Sequence, residues 1–338
     1  MKCGWLILGC LLAATTATAQ KEPFRTMFYN VENLFDCRDD SLKADEEFLP
    51  TSIRAWHEGR LKQKIYHLGQ VIAAVGKWDA PALVGLCEVE NAYVMDRLVK
   101  YSPLKEYGYR YVMTDSPDER GIDVALLWQR GSFKMLQHRS IRIPLGEGRR
   151  PTRDILHATG LVMTGDSLDV FVCHFPSRSN GWKETEPARL KAASLLKAQI
   201  DSICRMRCHP NILVMGDFND GPDNASLAKA LDAAPPGKSI QSHALYNLIA
   251  GKGEGQGTYR YKGEWDIFDQ ILVSGFLLQH TQGLHTSDAN ARICDFPFLL
   301  EEDPAYGGKK PFRTYHGLQY TGGYSDHLPV AVDFILPD

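Results

Sequence analysis

Six short segments of the 338-residue chain set chemically competent side chains directly beside apolar runs. They are Phe28-Tyr29-Asn30-Val31-Glu32-Asn33-Leu34, Leu86-Cys87-Glu88-Val89-Glu90-Asn91, Cys173-His174-Phe175-Pro176, Gly216-Asp217-Phe218-Asn219-Asp220, Phe268-Asp269-Gln270-Ile271 and Ser325-Asp326-His327-Leu328-Pro329. The oxygens of Asn30, Glu32, Glu88, Asp217, Asn219 and Asp326 are hard donors of the kind Mg²⁺ or Mn²⁺ prefers, not the sulfur- and imidazole-rich set that zinc or copper favours. His174 and His327 add rings that titrate near neutral pH and can donate to a phosphate or serve as acid or base. A hard cation, two imidazoles and amide groups together suit attack of water on a phosphoester, whose developing charge needs positive and hydrogen-bonding partners. Taken singly, each residue has a plainer role: Asn30, Asn219 and Asp217 in turns, Glu32 on the surface, His174 in a core, His327 capping a loop. Those roles together require several independent coincidences.

These residues can meet only if the chain folds so that strand ends share an edge. Apolar runs at Ala82–Cys87, Val124–Trp128, Val170–Cys173, Ile212–Met215 and Ile271–Val273 are short and rich in β-formers, and read as buried strands. Leu61, Ile65, Leu68, Ile72 and Val75 step by four and three, a helical stripe that would pack on a sheet. A second stripe runs through Leu190, Ala193, Leu196, Ile200 and Ile203, with Pro187 expected at the helix's first turn. Turn-rich segments fall at Arg142–Arg153, Pro235–Ser242, Gly251–Gly257 and Ala305–Gly323. Five of the six chemical segments lie just past an apolar run, where an open α/β sheet gathers distant residues. Asp269 instead precedes Ile271–Val273, so a mixed sheet is needed to bring it to the same edge. No linker composition divides the chain, and residues 20–338 are expected to form one layered α/β domain.

The blocks YNVENL, LCEVEN, GDFND and YSDHLP, in order from Tyr29 to Pro329 with His174 and Asp269 between them, resemble the endonuclease/exonuclease/phosphatase superfamily of metal-dependent phosphoesterases. The resemblance implies a four-layer α/β sandwich: two mixed, mostly antiparallel β-sheets face to face, flanked by helices. It implies Glu88 as principal ligand of Mg²⁺ or Mn²⁺, with Asn30, Glu32 and Asp326 completing or supporting the shell. Asp217 and Asn219 would position water and phosphate, and His174 would hold the phosphate from the other side. His327, oriented by Asp269, would act as acid–base residue or bind the phosphoryl oxygens. A carboxylate on one ring nitrogen fixes the tautomer and supports an imidazolium; Asp266 is a competing partner. Whether Asp217 or His327 takes the proton stays open.

Lys2, the apolar stretch Trp5–Ala14 and Ala17-Thr18-Ala19 form the pattern of a cleaved secretory signal over residues 1–19, which predicts a secreted or periplasmic protein. Leu8-Gly9-Cys10 as a lipoprotein site is the lesser alternative, and stable membrane insertion is not expected. Loss of that leader removes one base, leaving 37 basic against 41 acidic residues and a net charge of −4 in place of −3. So mild an acidic balance gives no broad field for nucleic acid, which would have to be held locally. Six cysteines remain, with no pairing legible; a zinc site at Cys204, Cys208 and His209 lacks the ligands it would need. GKGEGQG at Gly251–Gly257 lacks the Gly-Lys-Ser/Thr of a phosphate loop and precedes an extended Thr258-Tyr259-Arg260-Tyr261.

The expected partner is a phosphoester substrate, nucleic acid included. Arg150, Arg153 and Arg178 could contact phosphate or stay solvated. Tyr306, Lys309, Lys310, Phe312, Arg313, Tyr315, His316 and Tyr320 could stack bases or simply pack a loop. A nuclease or phosphodiesterase therefore stands first, a sphingomyelinase-like or phosphorylated small-molecule hydrolase second, and a non-catalytic envelope binding module third.

Overall fold

A computed structural model describes residues 23–77, 79–179, 181–252 and 255–337; the expected leader lies outside them. The first half of the chain forms β1 (Phe24–Leu34), α1 (Glu58–Gly76), β2 (Leu83–Val89), α2 (Ala92–Tyr101), β3 (Tyr109–Met113), β4 (Asp123–Gln129), β5 (Phe133–Ile141) and β6 (Ile155–Val162). The second half continues with β7 (Ser167–His174), α3 (Trp182–Met206), β8 (Ile212–Asp217), β9 (Ala233–Ala234), β10 (Leu245–Asn247) and the hairpin β11 (Tyr259–Tyr261)–β12 (Glu264–Asp266). Then come β13 (Asp269–Ser274), β14 (Ala291–Ile293), the short hairpins β15 (Leu300–Glu302)–β16 (Lys309–Pro311) and β17 (Tyr315–His316)–β18 (Gln319–Tyr320), and β19 (Val330–Phe334).

The strands make a six-stranded sheet, β14-β19-β1-β2-β4-β3, and a seven-stranded sheet, β5-β6-β7-β8-β13-β10-β9. Both are mixed. β1 and β2 run parallel at the centre of the first sheet and β7 and β8 at the centre of the second, while most other neighbours are antiparallel. Parallel neighbours require a crossover, and α1 and α3 supply it. The four parallel strands therefore send their C-terminal ends, Asn30–Leu34, Glu88, His174 and Asp217, toward loops instead of tight hairpins.

Alternation along the strands builds the layers. In β1, Phe24 and Phe28 face the other sheet, where they meet Val170, Val172, Leu213 and Met215. Met27, Tyr29 and Val31 face the opposite way onto Leu61, Ile65, Leu68 and Ile72 of α1. In β7, Phe171 and Cys173 turn outward to Ala192, Ala193, Leu196 and Ile200 of α3. Central strands covered on both faces read as unbroken apolar runs, which is why they were legible. The order of layers is thus helices, sheet, sheet, helix, the four-layer sandwich that the resemblance implies. At Gly85 the sheets approach so closely that a Cβ would lie 2.6 Å from the Met215 sulfur.

Helix α3 differs from the sequence expectation. It starts at Trp182, so Pro187 lies inside it and not in its first turn. The start is set by Gly181, whose φ of +99° is a region that glycine enters without penalty. The long Ala305–Gly323 segment folds into parts of two small hairpins, with Tyr315 packed on Trp56 and Tyr320, Phe312 on Tyr324, and Lys310 paired with Glu301. Of the eight aromatic and basic residues noted there, Arg313 pairs with the strand-end carboxylates Glu32 and Asp326. The six described cysteines carry free thiols. No helix of the described residues is long and apolar enough to cross a membrane.

Candidate active site

All six chemical segments converge at one edge of the sandwich. Glu88, His174, Asp217, Asn219, Asp326 and His327 line a single cleft of about 500 Å³. Antiparallel pairing puts Asp269 opposite Asp217, and parallel pairing puts His174 beside Asp217. The mixed sheet thereby brings the one segment of reversed register to the same edge as the others.

Backbone irregularities aim the side chains. The register of β1 against β2 slips between Asn30 and Leu34, and that of β2 against β4 slips between Cys87 and Val89. Bulges of this kind bend a strand and redirect a residue. Glu32, Asn33, Glu88 and Asn219 have φ of 50°, 59°, 63° and 50°, left-handed values that cost a non-glycine residue roughly 1–2 kcal/mol each. Strain concentrated on these residues is what a site held by its surroundings looks like.

His327 is the pivot. Its Nδ1 lies 2.7 Å from Asp269 Oδ2, with both side chains buried, while its Nε2 faces Asp217 Oδ2 at 3.9 Å. Asp269 is therefore the residue that orients the ring, and Asp266 lines the cleft wall instead. Burial alone would lower the imidazole's pKa; the Asp269 carboxylate outweighs it and holds the ring well above the ordinary value, so it is charged at neutral pH. Across the cleft His174 Nε2 stands 3.7 Å from Asp217 Oδ2 and 4.0 Å from Glu88 Oε1. Burial, with help from Arg153, Arg120 and His327, pushes His174 well below its ordinary pKa, so it stays neutral.

Asp217 sits between the two rings. Burial raises its carboxyl to about 7, against the pull of His327. Asn30 Nδ2 donates to its Oδ2 at 3.0 Å and the Asn219 N–H to its Oδ1 at 2.8 Å. Asn219 is anchored in turn by its amide, which donates to Phe175 O at 3.0 Å. A buried network pins this loop: Asp220 pairs with Arg178 at 2.9 Å and with the fully buried Arg189 at 2.9 Å, and accepts from Ser226 at 2.6 Å.

The remaining carboxylates form the other wall. Glu88 Oε2 accepts from the Asn33 N–H at 2.9 Å and Oε1 lies 3.4 Å from Asn30 Nδ2. Glu32 faces away from Glu88: its oxygens accept from Arg313 at 3.0 Å and from the Thr314 N–H at 2.7 Å. Arg313 also donates to Asp326 at 2.9 Å. Behind them Lys64, buried in α1, donates to Thr314 and Tyr324, and burial lowers its ammonium to about 8 against the raising influence of Glu32, Asp326 and Glu88. The donor set on the cleft, Glu88 and Asp326 with Asn30 alongside, is composed of hard oxygen ligands. Burial and the neighbouring Asp326 charge also raise Glu32. Carboxylates gathered on one cleft fit a divalent cation, which would relieve their repulsion.

Sequence reasoning did not single out Lys64, Arg120, Arg189 or Asp220. A signal existed for Lys64, which falls three residues after Leu61 on the apolar stripe of α1 and is 1% exposed. Arg153 and Arg178 line the cleft, and Arg178 stacks 4.6 Å over Phe268; Arg150 lines an adjoining pocket. Two aromatic side chains, Trp182 and Tyr261, stand 41% and 57% exposed at the cleft.

Comparison with known proteins agrees with this fold. Among solved structures, a mannosyl-6-phosphatase of Bacteroides thetaiotaomicron VPI-5482 superposes with a TM-score of 0.59 at 16% identity, covering 92% of this chain and 99% of its own. The human Nocturnin catalytic domain with bound sulfate gives 0.55 at 18% identity over 93% and 94%. D. rerio TDP2 complexed with a single-strand DNA product gives 0.56 at 16% identity over 93% and 100%. These likenesses establish the fold. A search of curated proteins finds no match. The profile of the Endonuclease/Exonuclease/phosphatase family matches residues 25–335, nearly the whole sequence. The chain belongs to the endonuclease/exonuclease/phosphatase family, whose members are hydrolases of phosphate esters.

Proposed function

We propose that the protein is a divalent-cation-dependent phosphodiesterase, a nuclease in the first instance, that hydrolyses P–O bonds outside the cytoplasm after loss of residues 1–19. The observation that carries the reading is the buried Asp269–His327–Asp217 alignment, with contacts of 2.7 and 3.9 Å, facing His174 across the cleft that Glu88 and Asp326 also line. Asn30, Glu88 and Asp326 would hold Mg²⁺ or Mn²⁺, with Glu32 supporting them through Arg313. A cation bound there supplies charge neutralisation for the phosphoryl and departing oxygens.

The protein's own groups divide the remaining work. Charged His327 donates to a phosphoryl oxygen, and neutral His174 donates from the opposite side. Asp217, ionised above about pH 7, orients a water and accepts its proton. Water oxygen bonds to phosphorus as the ester P–O bond breaks, and the departing oxygen leaves as an alcohol after taking a proton from solvent. Asn30 and Asn219 hold Asp217 in place for this. The nuclease reading draws support from the TDP2 relative solved with a DNA product. The mannosyl-6-phosphatase relative favours a second reading, a phosphatase of small phosphorylated molecules.

Plasmid DNA, RNA, sphingomyelin, mannose 6-phosphate and bis(p-nitrophenyl) phosphate, each assayed with Mg²⁺ and with EDTA, test the proposal. Mg²⁺-dependent cleavage of the nucleic acids and the chromogenic diester is expected, with Asp217→Ala and His327→Ala each losing about 100-fold or more in rate while remaining folded. No cleavage of any diester would overturn it.

A further inference from the structure

The cleft continues past His174 into a second pocket of about 580 Å³, with Arg120, Arg153, Ser177 and Ser179 as a shared wall. Four guanidinium groups line this second pocket, those of Arg120, Arg149, Arg150 and Arg153, together with the carboxylates of Asp118, Glu119 and Glu184. Their pairing is uneven. Arg153 is engaged by Asp118 at 3.4 Å and by Phe175 O at 2.7 Å. Arg150 stands 3.4 Å from Glu119 in a pair that is 84% and 49% exposed, and such a pair holds weakly in water. Arg120 donates to the neutral side chain of Asn33, and among the described residues no carboxylate lies within ion-pair distance of Arg120 or Arg149. Glu184 turns back against Gly181 at the start of α3. Two polar atoms of the wall, Thr152 Oγ1 and Arg153 Nε, are buried without a hydrogen-bond partner.

We propose that the second pocket seats another phosphate of the substrate, adjacent to the one being cleaved. The preferred substrate is then a phosphoester with a further phosphate one link away, as in a nucleic-acid strand or a nucleoside bisphosphate, and not the monophosphate of a neutral sugar. The inference rests on the hydrolytic reading of the neighbouring cleft. Guanidinium forks match phosphate oxygens bidentately, and a hydroxyl-lined wall completes such a site. The location answers a need set by composition: with a net charge of −3, the chain can hold a polyanion only through local cations of this kind.

Binding and turnover separate the two ideas. Thymidine 3′,5′-bisphosphate and thymidine 5′-monophosphate are titrated calorimetrically with Ca²⁺ in place of Mg²⁺, against the wild type and an Arg149→Ala/Arg150→Ala double variant. A second double variant, Arg130→Ala/Lys134→Ala at the opposite end of β4 from Asp123, controls for total charge. The bisphosphate should bind the wild type and the charge control about tenfold or more tighter than the monophosphate, and this preference should fall to about twofold in Arg149→Ala/Arg150→Ala. Equal affinities in the wild type, a preference that survives loss of both arginines, or an equal loss in the charge control would each overturn the second-phosphate site. Hydrolysis of bis(p-nitrophenyl) phosphate, measured in parallel, reports on the cleft: an inert enzyme that keeps the bisphosphate preference removes the hydrolytic reading and leaves the anion site standing.

Discussion

Replacing Asp269 by asparagine removes the negative charge against which His327 rests and leaves the shape nearly unchanged. The contact is 2.7 Å, and both groups are buried. With charge centres about 4 Å apart and an effective dielectric constant of about 20, the attraction between imidazolium and carboxylate is worth about 4 kcal/mol. Part of that offsets the cost of burying the ring's charge, and the remainder holds the His327 pKa up, so the ring should lose its proton at lower pH once Asp269 is neutral. Assayed on bis(p-nitrophenyl) phosphate from pH 5 to 10, Asp269→Asn should lower kcat/KM about 100-fold at pH 8. Because the ring must be protonated to donate, the fall in rate on the alkaline side should begin at lower pH than in the wild type. Melting should fall by several degrees because the lost pair also stabilises the fold, so a variant still folded at the assay temperature with a Mn²⁺ titration near wild type would show that neither unfolding nor cation binding is responsible. Activity within threefold of wild type, or an unmoved alkaline limb, would refute the role given to this pair.

Asp217→Asn should abolish the rise in kcat with pH through about 7, since a carboxyl raised to that value by burial is a competent base only above it; a retained acid limb would assign the base elsewhere. Glu88→Gln should raise the Mg²⁺ concentration for half-maximal rate about tenfold or more, whereas Glu32→Gln, whose carboxylate is engaged by Arg313 and the Thr314 N–H, should shift it less. Mn²⁺ calorimetry on both variants checks the order without relying on turnover. Burial, aided by Asp36, Asp45 and Asp40, pushes Glu90 up to about 8 even though the Asp36 N–H donates to it. A carboxyl whose pKa is higher folded than unfolded contributes stability at low pH that is lost as pH rises through the folded value. Glu90→Gln should therefore melt roughly 2 °C higher than wild type at pH 9 and show no gain at pH 4, measured by thermal denaturation.

The residues of the cleft were legible because their chemistry is local. Asn30, Glu88, His174, Asp217, Asp269 and His327 each adjoin a run of apolar residues, and a strand buried on both faces has to be apolar along its length. The stripe of α1 was legible for a related reason, since a helix that packs on a sheet must repeat every three or four residues. The start of α3 was not: Pro187 suggested a boundary, but Gly181 and the packing of Arg189 onto Asp220 place it five residues earlier.

What each residue faces was decided by tertiary structure alone. The sequence offers Glu32 as a carboxylate like Glu88, yet a slipped register turns it toward Arg313, 281 positions away. Lys64 and Arg189 look like surface cations until neighbouring elements bury them against their partners. The opposite shifts of His174 and His327 likewise come from what surrounds each ring: burial, with arginines nearby, lowers one, while Asp269 outweighs burial at the other. Composition and periodicity dictate which atoms are present and which strands are buried, because those depend on neighbours along the chain. Charge state, ligand orientation and the second arginine pocket depend on neighbours in space, which only the packed sheets bring together.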